Sequence, residues 1–383
     1  MSQQRVGVVM GGTSGEREVS LRSGRAVAAA LASKGHDVVS IVLDADQDPS
    51  TQLRRADVES VFLALHGRHG EDGCIQGLCE LLAIPYTGSS VLASALAMDK
   101  LKAKELFRLH NVPTPAYYAV DAGDARFDLE DKHGSFGFPA IVKPRGEGSS
   151  LGVSKATNMS ELARAVDKAL DLDRVAIVER FVTGHEIQVG ILNGRVLGAI
   201  EVVPKKGLYD YEAKYTPGMT EYFLPARLPA TRQRGVLNLA ERAANALGCT
   251  GAVRVDLLVT DEENEYVLEV NTLPGMTETS LLPRIAQAAG YDFASLCEAI
   301  LDSATLHQSM PKRRKQMSMA DQATFHTPIM NLRHVATGTL SLIENDNTAC
   351  DDDTRTRDTP RLNQCALVRQ IPQHEVRTVT DLK

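Results

Sequence analysis

The chain has 383 residues, 43% hydrophobic and 24% charged, which is room for two or three ordinary globular domains. A net charge of −7 argues against general nucleic-acid binding. No apolar run approaches the roughly 20 residues of a membrane helix. The N-terminus lacks a basic stretch leading an apolar core, and six cysteines without a CxxC pair read as reduced thiols in a cytosolic protein.

Arg5–Met10 reads as a buried strand, Gly11-Gly12-Thr13-Ser14-Gly15 as a tight turn, and a helix then starts near Glu16. Strand, glycine turn, helix is the opening of an α/β domain. The turn is neither a Walker A loop nor a GxGxxG fingerprint. Glu16 suits a helix N-terminus on charge alone and could equally bind substrate. Val38–Leu43 and Ser60–Leu65 are further strands, the latter ending in the glycine-rich His66–Gly73. Ligands of open α/β sheets bind beyond such strand ends. His66 is either a packed loop histidine or a substrate contact. Ile75–Leu82 is a short helix, and Pro85–Gly88 passes from strand to loop.

Met98–His110 is a lysine-rich helix and Pro139–Lys143 a strand. The loop Lys143–Gly152 has free backbone N–H groups and a lysine at its root. It is either an ordinary hairpin loop or a cover for phosphates. Ser160 caps a helix to Leu170, and Val175–Glu179 is a strand whose exit, Glu179–Val182, reads as a passage between lobes. Glu186–Leu192 and Arg195–Val203 form a hairpin turned at Asn193-Gly194. Tyr209–Tyr215 breaks both periodicities and reads as a functional loop. Arg232–Leu247, Leu281–Ala289 and Phe293–Ser303 are helices.

Between them, Gly251–Met276 holds two apolar runs flanking Asp261–Asn264, a hairpin with a four-residue loop. That register pairs Val259 with Tyr266, Leu257 with Leu268 and Val255 with Val270. Because side chains alternate faces, the other face pairs Asp256 with Glu269 and Arg254 with Asn271. Carboxylate and amide oxygens suit a hard cation such as Mg²⁺, and Arg254 adds a planar fork for phosphate or carboxylate. A surface hairpin with solvated charges is the alternative. Four polar groups on one face, followed by the irregular Asn271–Gly275 turn, favour a metal–phosphate site.

From about Arg5 to Leu306 the sequence resembles the D-alanine–D-alanine ligases of the ATP-grasp superfamily. GGTSGEREVSLRSG, ALHGRHGEDGCIQG, PYTGS, MDK, IVKPRGEGSSLGVSK, YDYEAKY, GCTGAVRVDLLV and LEVNTLPGMTETSL follow in the family's order and spacing. The resemblance implies a mixed α/β fold. Residues 1–97 would form an N-terminal open α/β substrate domain. Residues 98–182 and 183–307 would form two ATP-grasp lobes, the first carrying the glycine-rich lid and the second the metal site. The tail 308–383 has no counterpart in the family, and its charge runs read as mainly disordered.

The resemblance also implies the reaction: ATP-dependent joining of two D-alanines through an acylphosphate, for peptidoglycan. Lys100, Lys143, Glu179, Val182, Glu186 and Lys214 would bind ATP. Gly146, Gly148 and Ser149 would belong to the lid. Asp256, Glu269 and Asn271 would hold two Mg²⁺ (or Mn²⁺). Glu16 would hold the first D-alanine's ammonium, Ser280 the second's carboxylate, and His66 and Gly275 would line the substrate site. Arg254 would face the reacting carboxyl, and Glu16, Ser150 and Tyr215 would form a hydrogen-bonded set. A homodimer is implied as well. Arg180 and Leu273 depart from the family's usual residues without removing a ligand group. Sister ligases using D-lactate or D-serine, and a non-catalytic nucleotide-binding protein, are the alternatives. The intact Tyr-Xaa-Xaa-Lys-Tyr loop and complete metal set weigh against them.

Overall fold

The structure, a computed structural model, describes residues 4–307 except 124–128, 206–208, 210–215, 217, 263 and 278. The expectations for Lys214, Tyr215 and the tail 308–383 therefore lie outside the described residues.

Among the described residues three sheets organise the chain. The first is parallel, in the order β2 (Asp37–Leu43), β1 (Arg5–Gly11), β3 (Ser60–Leu63). Its strands are almost continuously apolar because helices cover them. Val6, Val8 and Met10 pack with Leu21, Val27 and Leu31 of helix α1 (Arg17–Ser33). Helix α2 (Pro49–Ala56) opens at Asp48, whose carboxylate accepts from Ser50 N and Thr51 N. Helix α3 (Cys74–Leu82) follows the His66–Gly73 loop. A bridge from Val61 to Tyr86 extends the sheet, and Tyr86 in turn bridges Thr305 near the end of the described chain.

The helix expected over Met98–His110 is α5 (Lys100–Leu109), and a separate helix, α4 (Val91–Met98), precedes it where none was expected. The break is at Asp99, which is extended (φ −79, ψ 93) and caps α5 by accepting from Lys102 N. VLASALAM has a single polar residue, the buried Ser94, so no polar face marks it as a helix.

The second sheet is antiparallel, in the order β4 (Tyr117–Asp121), β7 (Val175–Arg180), β5 (Ala140–Pro144), β6 (Ser154–Ala156). Helix α6 (Leu129–His133) precedes β5, and helix α7 (Met159–Leu170) packs on the sheet through Leu162, Val166 and Ala169. Helix α7 starts one residue before the expected site. Its cap is Asn158, whose side chain accepts from Glu161 N at 3.0 Å. Ser160 lies inside the first turn and accepts from Arg164 instead.

The third sheet has the order β10 (Thr220–Phe223), β9 (Arg195–Pro204), β8 (His185–Leu192), β11 (Ala252–Val259), β12 (Glu265–Asn271). Helix α8 (Ala230–Ala246) covers one face. Val236, Leu239, Ala240 and Ala243 meet Val253, Val255, Leu257 and Val259 of β11. Each buried valine or leucine among them contributes about 1.5–3 kcal/mol. Two helices close the fold, α9 (Leu281–Ala288) and α10 (Phe293–Leu301). Leu296, Ile300 and Leu301 of α10 join the core beneath α1. Among the described residues no helix is long and apolar enough to cross a membrane.

The hairpin register needs one correction. Arg254 faces Asn271, Val255 faces Val270 and Asp256 faces Glu269, as the alternation requires. Beyond them Leu257 pairs with Val267 and Val259 with Glu265, one residue out of step with the expectation. The loop is one residue tighter: Thr260 N donates to Asn264 O at 2.9 Å. The extra residue is absorbed as a β-bulge at Leu268. Val267 and Val270 can then both reach the core under α8, while Leu268 and Glu269 between them both face the open side.

Candidate active site

Even-numbered residues of β11 face away from α8. Arg254, Asp256 and Leu258 therefore stand on the open side of the third sheet, beside Leu268, Glu269 and Asn271 of β12. Arg254 grips Asp256 with both arms of its fork, Nε to Oδ1 at 2.7 Å and Nη2 to Oδ2 at 2.9 Å. Burial works against the guanidinium charge, but the Asp256 carboxylate outweighs it and raises the Arg254 pKa. Asn271 Nδ2 reaches the same carboxylate at 3.4 Å.

This face separates and joins two pockets. One lies between the second and third sheets. Its walls include Ile141, Phe181, Val182, Leu258 and Leu268, and Lys100, Lys143, Glu179, Glu186, Asp256 and Glu269 supply its charges. A largely apolar cleft that also carries lysines and carboxylates suits a nucleotide. The other pocket is polar. Glu16, His66, Glu71, Arg254, Asn271, Gly275 and Ser280 line it. Lys100, Tyr209 and Glu269 line both, so the two volumes adjoin.

At the floor of the nucleotide-shaped pocket, Glu179 is buried between two lysines. Lys143 Nζ lies 2.9 Å and Lys104 Nζ 3.1 Å from its Oε1. Burial alone would raise the Glu179 pKa; the two ammonium groups hold it below the usual carboxylate value.

The loop between β5 and β6 covers the junction. Its root is clamped by Arg145, which forks onto Asp99 with Nε–Oδ1 at 2.8 Å and Nη2–Oδ2 at 2.5 Å. Lys100 Nζ donates to Glu147 O at 2.5 Å, and Gly146 N to Asp173 Oδ2 at 2.8 Å. Arg68, from the His66–Gly73 loop, donates to Glu147 Oε1 at 2.8 Å. At the loop's tip Ser149 and Ser150 take left-handed backbone angles, φ 47 and 59, a conformation costly for residues other than glycine. It turns the two hydroxyls in different directions. Ser149 Oγ donates to Glu16 Oε1, and Ser150 Oγ donates to Tyr209 O at 3.2 Å. Glu16 thus accepts from Ser149, while Ser150, the expected member of its hydrogen-bonded set, is aimed at Tyr209; the set's other member, Tyr215, lies outside the described residues. A Cβ on Gly148 would sit 2.6 Å from Glu16 Oε2, so a side chain there would displace that carboxylate.

In the polar pocket, burial lowers the His66 pKa to about 4, so the ring is neutral near pH 7. Its Nε2 lies 3.2 Å from Ser23 Oγ, which accepts from Met276 N. His66 thus ties the Asn271–Met276 turn to α1. Glu71 was not singled out in the sequence. Burial, then the charge of Glu16, raise its pKa to about 8, and Gly67 N donates to it at 2.7 Å. Ser280 begins α9 without capping it; its Oγ accepts from Thr277 N at 3.0 Å. The first N–H groups of α9 and the Ser280 hydroxyl adjoin the pocket, an arrangement that favours an anion.

All the proposed site residues among those described, apart from Gly146, line one pocket or the other. Sequence reading missed Lys104, Glu71 and the Asp99, Arg68 and Asp173 clamps. The string MDK did mark Asp99.

The chain matches the family described as D-ala D-ala ligase C-terminus over residues 106–302. It matches D-ala D-ala ligase N-terminus over 5–52 and 45–89. It is 53% identical over 308 residues to a D-alanine--D-alanine ligase of Geotalea uraniireducens, covering 80% of this chain and 97% of that one. The crystal structure of D-alanine--D-alanine ligase from Bacillus anthracis superposes with a TM-score of 0.70 at 37% identity, over 78% of this chain and 97% of that one. The same enzyme complexed with ATP gives 0.67 at 34%, with the same coverage. The VanG D-Ala:D-Ser ligase of Enterococcus faecalis gives 0.68 at 28%, over 79% and 99%.

Proposed function

The chain belongs to the D-alanine–D-alanine ligase family, and from that premise we propose how its two adjoining pockets carry out the ATP-dependent joining of two D-alanine molecules. The observation that carries the reading is the shared wall. Lys100 and Glu269 border both a nucleotide-shaped slot and a polar chamber, so a γ-phosphate and an amino-acid carboxylate can meet there.

ATP lies in the slot with its base between Ile141, Phe181 and Leu268 and its ribose near Glu186. Val182 and the backbone around Glu179 meet the base edge. Lys143 and Lys100 meet the phosphates, with Lys214 as a further phosphate contact. Asp256, Glu269 and Asn271 fit Mg²⁺, with Mn²⁺ as a substitute. Two facing carboxylates and an amide are oxygen donors on one sheet face, and the buried Asp256 already tolerates a bidentate cation. When bound, two such ions would offset charge on the phosphoryl oxygens.

Glu16 holds the ammonium of the first D-alanine. The carboxylate oxygen of that D-alanine attacks the γ-phosphorus and ADP leaves. The amine of the second D-alanine, its own carboxylate held by Ser280 and the N-terminus of α9, then attacks the acyl carbon. Phosphate leaves with the former carboxylate oxygen, and the amine loses a proton. Arg254 balances the charge that develops at the reacting carboxyl. His66 and Gly275 shape the chamber; His66, being neutral, contributes no charge. The loop through Gly146, Gly148, Ser149 and Ser150, with Tyr215, closes the chamber against water, which would hydrolyse an acylphosphate.

The domains are residues 1–97, 98–182 and 183–307. The product serves peptidoglycan synthesis. The protein is a cytoplasmic homodimer without nucleic-acid or membrane partners. The free thiols at Cys74, Cys79, Cys249 and Cys297 support a reducing compartment. Leu81 and Leu92, 84% and 68% exposed on the neighbouring helices α3 and α4, support self-association there.

The test is an ADP-release assay with D-alanine, D-lactate and D-serine on the full chain and on a chain ending near Gln308. ADP should form with D-alanine in both chains, and D-alanyl-D-alanine should be the product of the mixed assay. No D-alanine-dependent ADP from the full chain refutes the reading. Loss confined to the shorter chain refutes a dispensable tail.

A further inference from the structure

Lys104 lies on the inner side of α5, between Ala103 and Phe107, and is 0% exposed. A lysine is almost never fully buried without a partner. Its Nζ donates to Thr114 Oγ1 at 2.6 Å, lies 5.5 Å from the centre of the Tyr117 ring, and pairs with Glu179 Oε1 at 3.1 Å. That same oxygen pairs with Lys143 at 2.9 Å. Two ammonium groups thus share one carboxylate oxygen in a place nearly closed to water. The cluster formed by α5, β5 and β7 carries one surplus positive charge.

Burying unbalanced charge is costly. It becomes favourable once an anion arrives, and the open side of this cluster is the nucleotide slot. Lys143 lines that slot; Lys104 does not. A pair made of Lys143 and Glu179 alone would be neutral and satisfied, with little attraction left for phosphate. A second ammonium behind Glu179 divides its carboxylate.

We propose that Lys104 is a positioning residue for nucleotide binding: by sharing Glu179 Oε1 from behind, it keeps that carboxylate from neutralising Lys143 and leaves the Lys143–Glu179 contact with a net positive charge that draws a phosphate of ATP. The charged groups facing Lys104 are Glu179 from β7, Lys143 from β5 and, at longer range, Glu269 from β12. Burial lowers the Lys104 pKa to about 8, with Lys143 adding to the fall and Glu179 opposing it. The inference rests on the slot being the ATP site.

The experiment is steady-state kinetics of Lys104→Met, Lys104→Met/Glu179→Gln and Thr114→Val on the full chain, with thermal melting of each. Lys104→Met should raise KM for ATP about 10- to 100-fold, the worth of one charge-assisted phosphate contact, with kcat and KM for D-alanine nearly unchanged. Adding Glu179→Gln should recover part of that loss, because a neutral amide no longer holds Lys143. A merely structural lysine predicts the opposite, a double variant no better than the single. Should Lys104→Met fail to fold, Thr114→Val keeps the test alive. It removes only the hydroxyl acceptor and should still raise KM for ATP several-fold with kcat kept. An unchanged KM for ATP in the folded variants, or no recovery in the double variant, overturns the proposal. Failure of the wild-type chain to form ADP with D-alanine would instead overturn the assignment of the slot.

Discussion

Replacing Glu269 by alanine is expected to lower D-alanine-dependent ADP release at least about a thousandfold, the scale of losing a group that balances transition-state charge, while the protein still melts cooperatively. Glu269 stands on the open side of the bulged strand and borders both pockets. Its loss leaves Val267 and Val270 in the core undisturbed. Asp256→Ala should be as inactive but differ in stability. Asp256 is 3% exposed and satisfies both arms of Arg254. Truncating it strands a buried guanidinium, which costs about 3–5 kcal/mol. ADP release and thermal melting of the two variants check this together. Near-normal turnover in both contradicts the metal assignment, and equal melting contradicts the account of the Arg254–Asp256 pair.

Arg254→Lys should be nearly as damaging to turnover although it keeps the charge. The guanidinium engages Asp256 through two parallel bonds, fixing its plane at the wall of the polar chamber. A lysine is a point charge on a flexible stem and cannot reproduce that fork. The loss of one oriented donor at a developing charge predicts a fall in kcat of about 10²–10³-fold. Nucleotide affinity should change little, because Arg254 lines the chamber and not the slot. A kcat within about threefold of wild type would mean that charge alone suffices there, against the expected worth of a bidentate contact.

How far the sequence reaches is clearest on the hairpin. Two-residue alternation correctly puts Arg254, Asp256, Glu269 and Asn271 on one face, because those pairs lie next to the irregular turn and before the bulge. It fails beyond Asp256. A bulge satisfies Val267 and Val270 by packing against α8, a contact that no local pattern contains. The apolar α4 was missed for want of a polar face, although Ser90 caps it by accepting from Ala93 N.

Clamps between distant segments were equally invisible. Lys104 sits in a lysine-rich helix, and only β7, bringing Glu179 beneath α5, makes it a buried charge. Ser149 and Ser150 could be told apart only by their backbone angles, which aim one hydroxyl at Glu16 and the other at Tyr209. What was legible was chemistry carried by neighbouring residues; what was not was pairing decided by tertiary packing.

The central claim is that the carboxylate of one D-alanine attacks the γ-phosphate of ATP where the two pockets adjoin. Turnover of D-alanine labelled with ¹⁸O in its carboxyl group tests it most directly, with the released phosphate examined by ³¹P NMR. The account predicts phosphate carrying one oxygen from the D-alanine carboxyl group for each dipeptide formed. Dipeptide accompanied by unlabelled phosphate would contradict it.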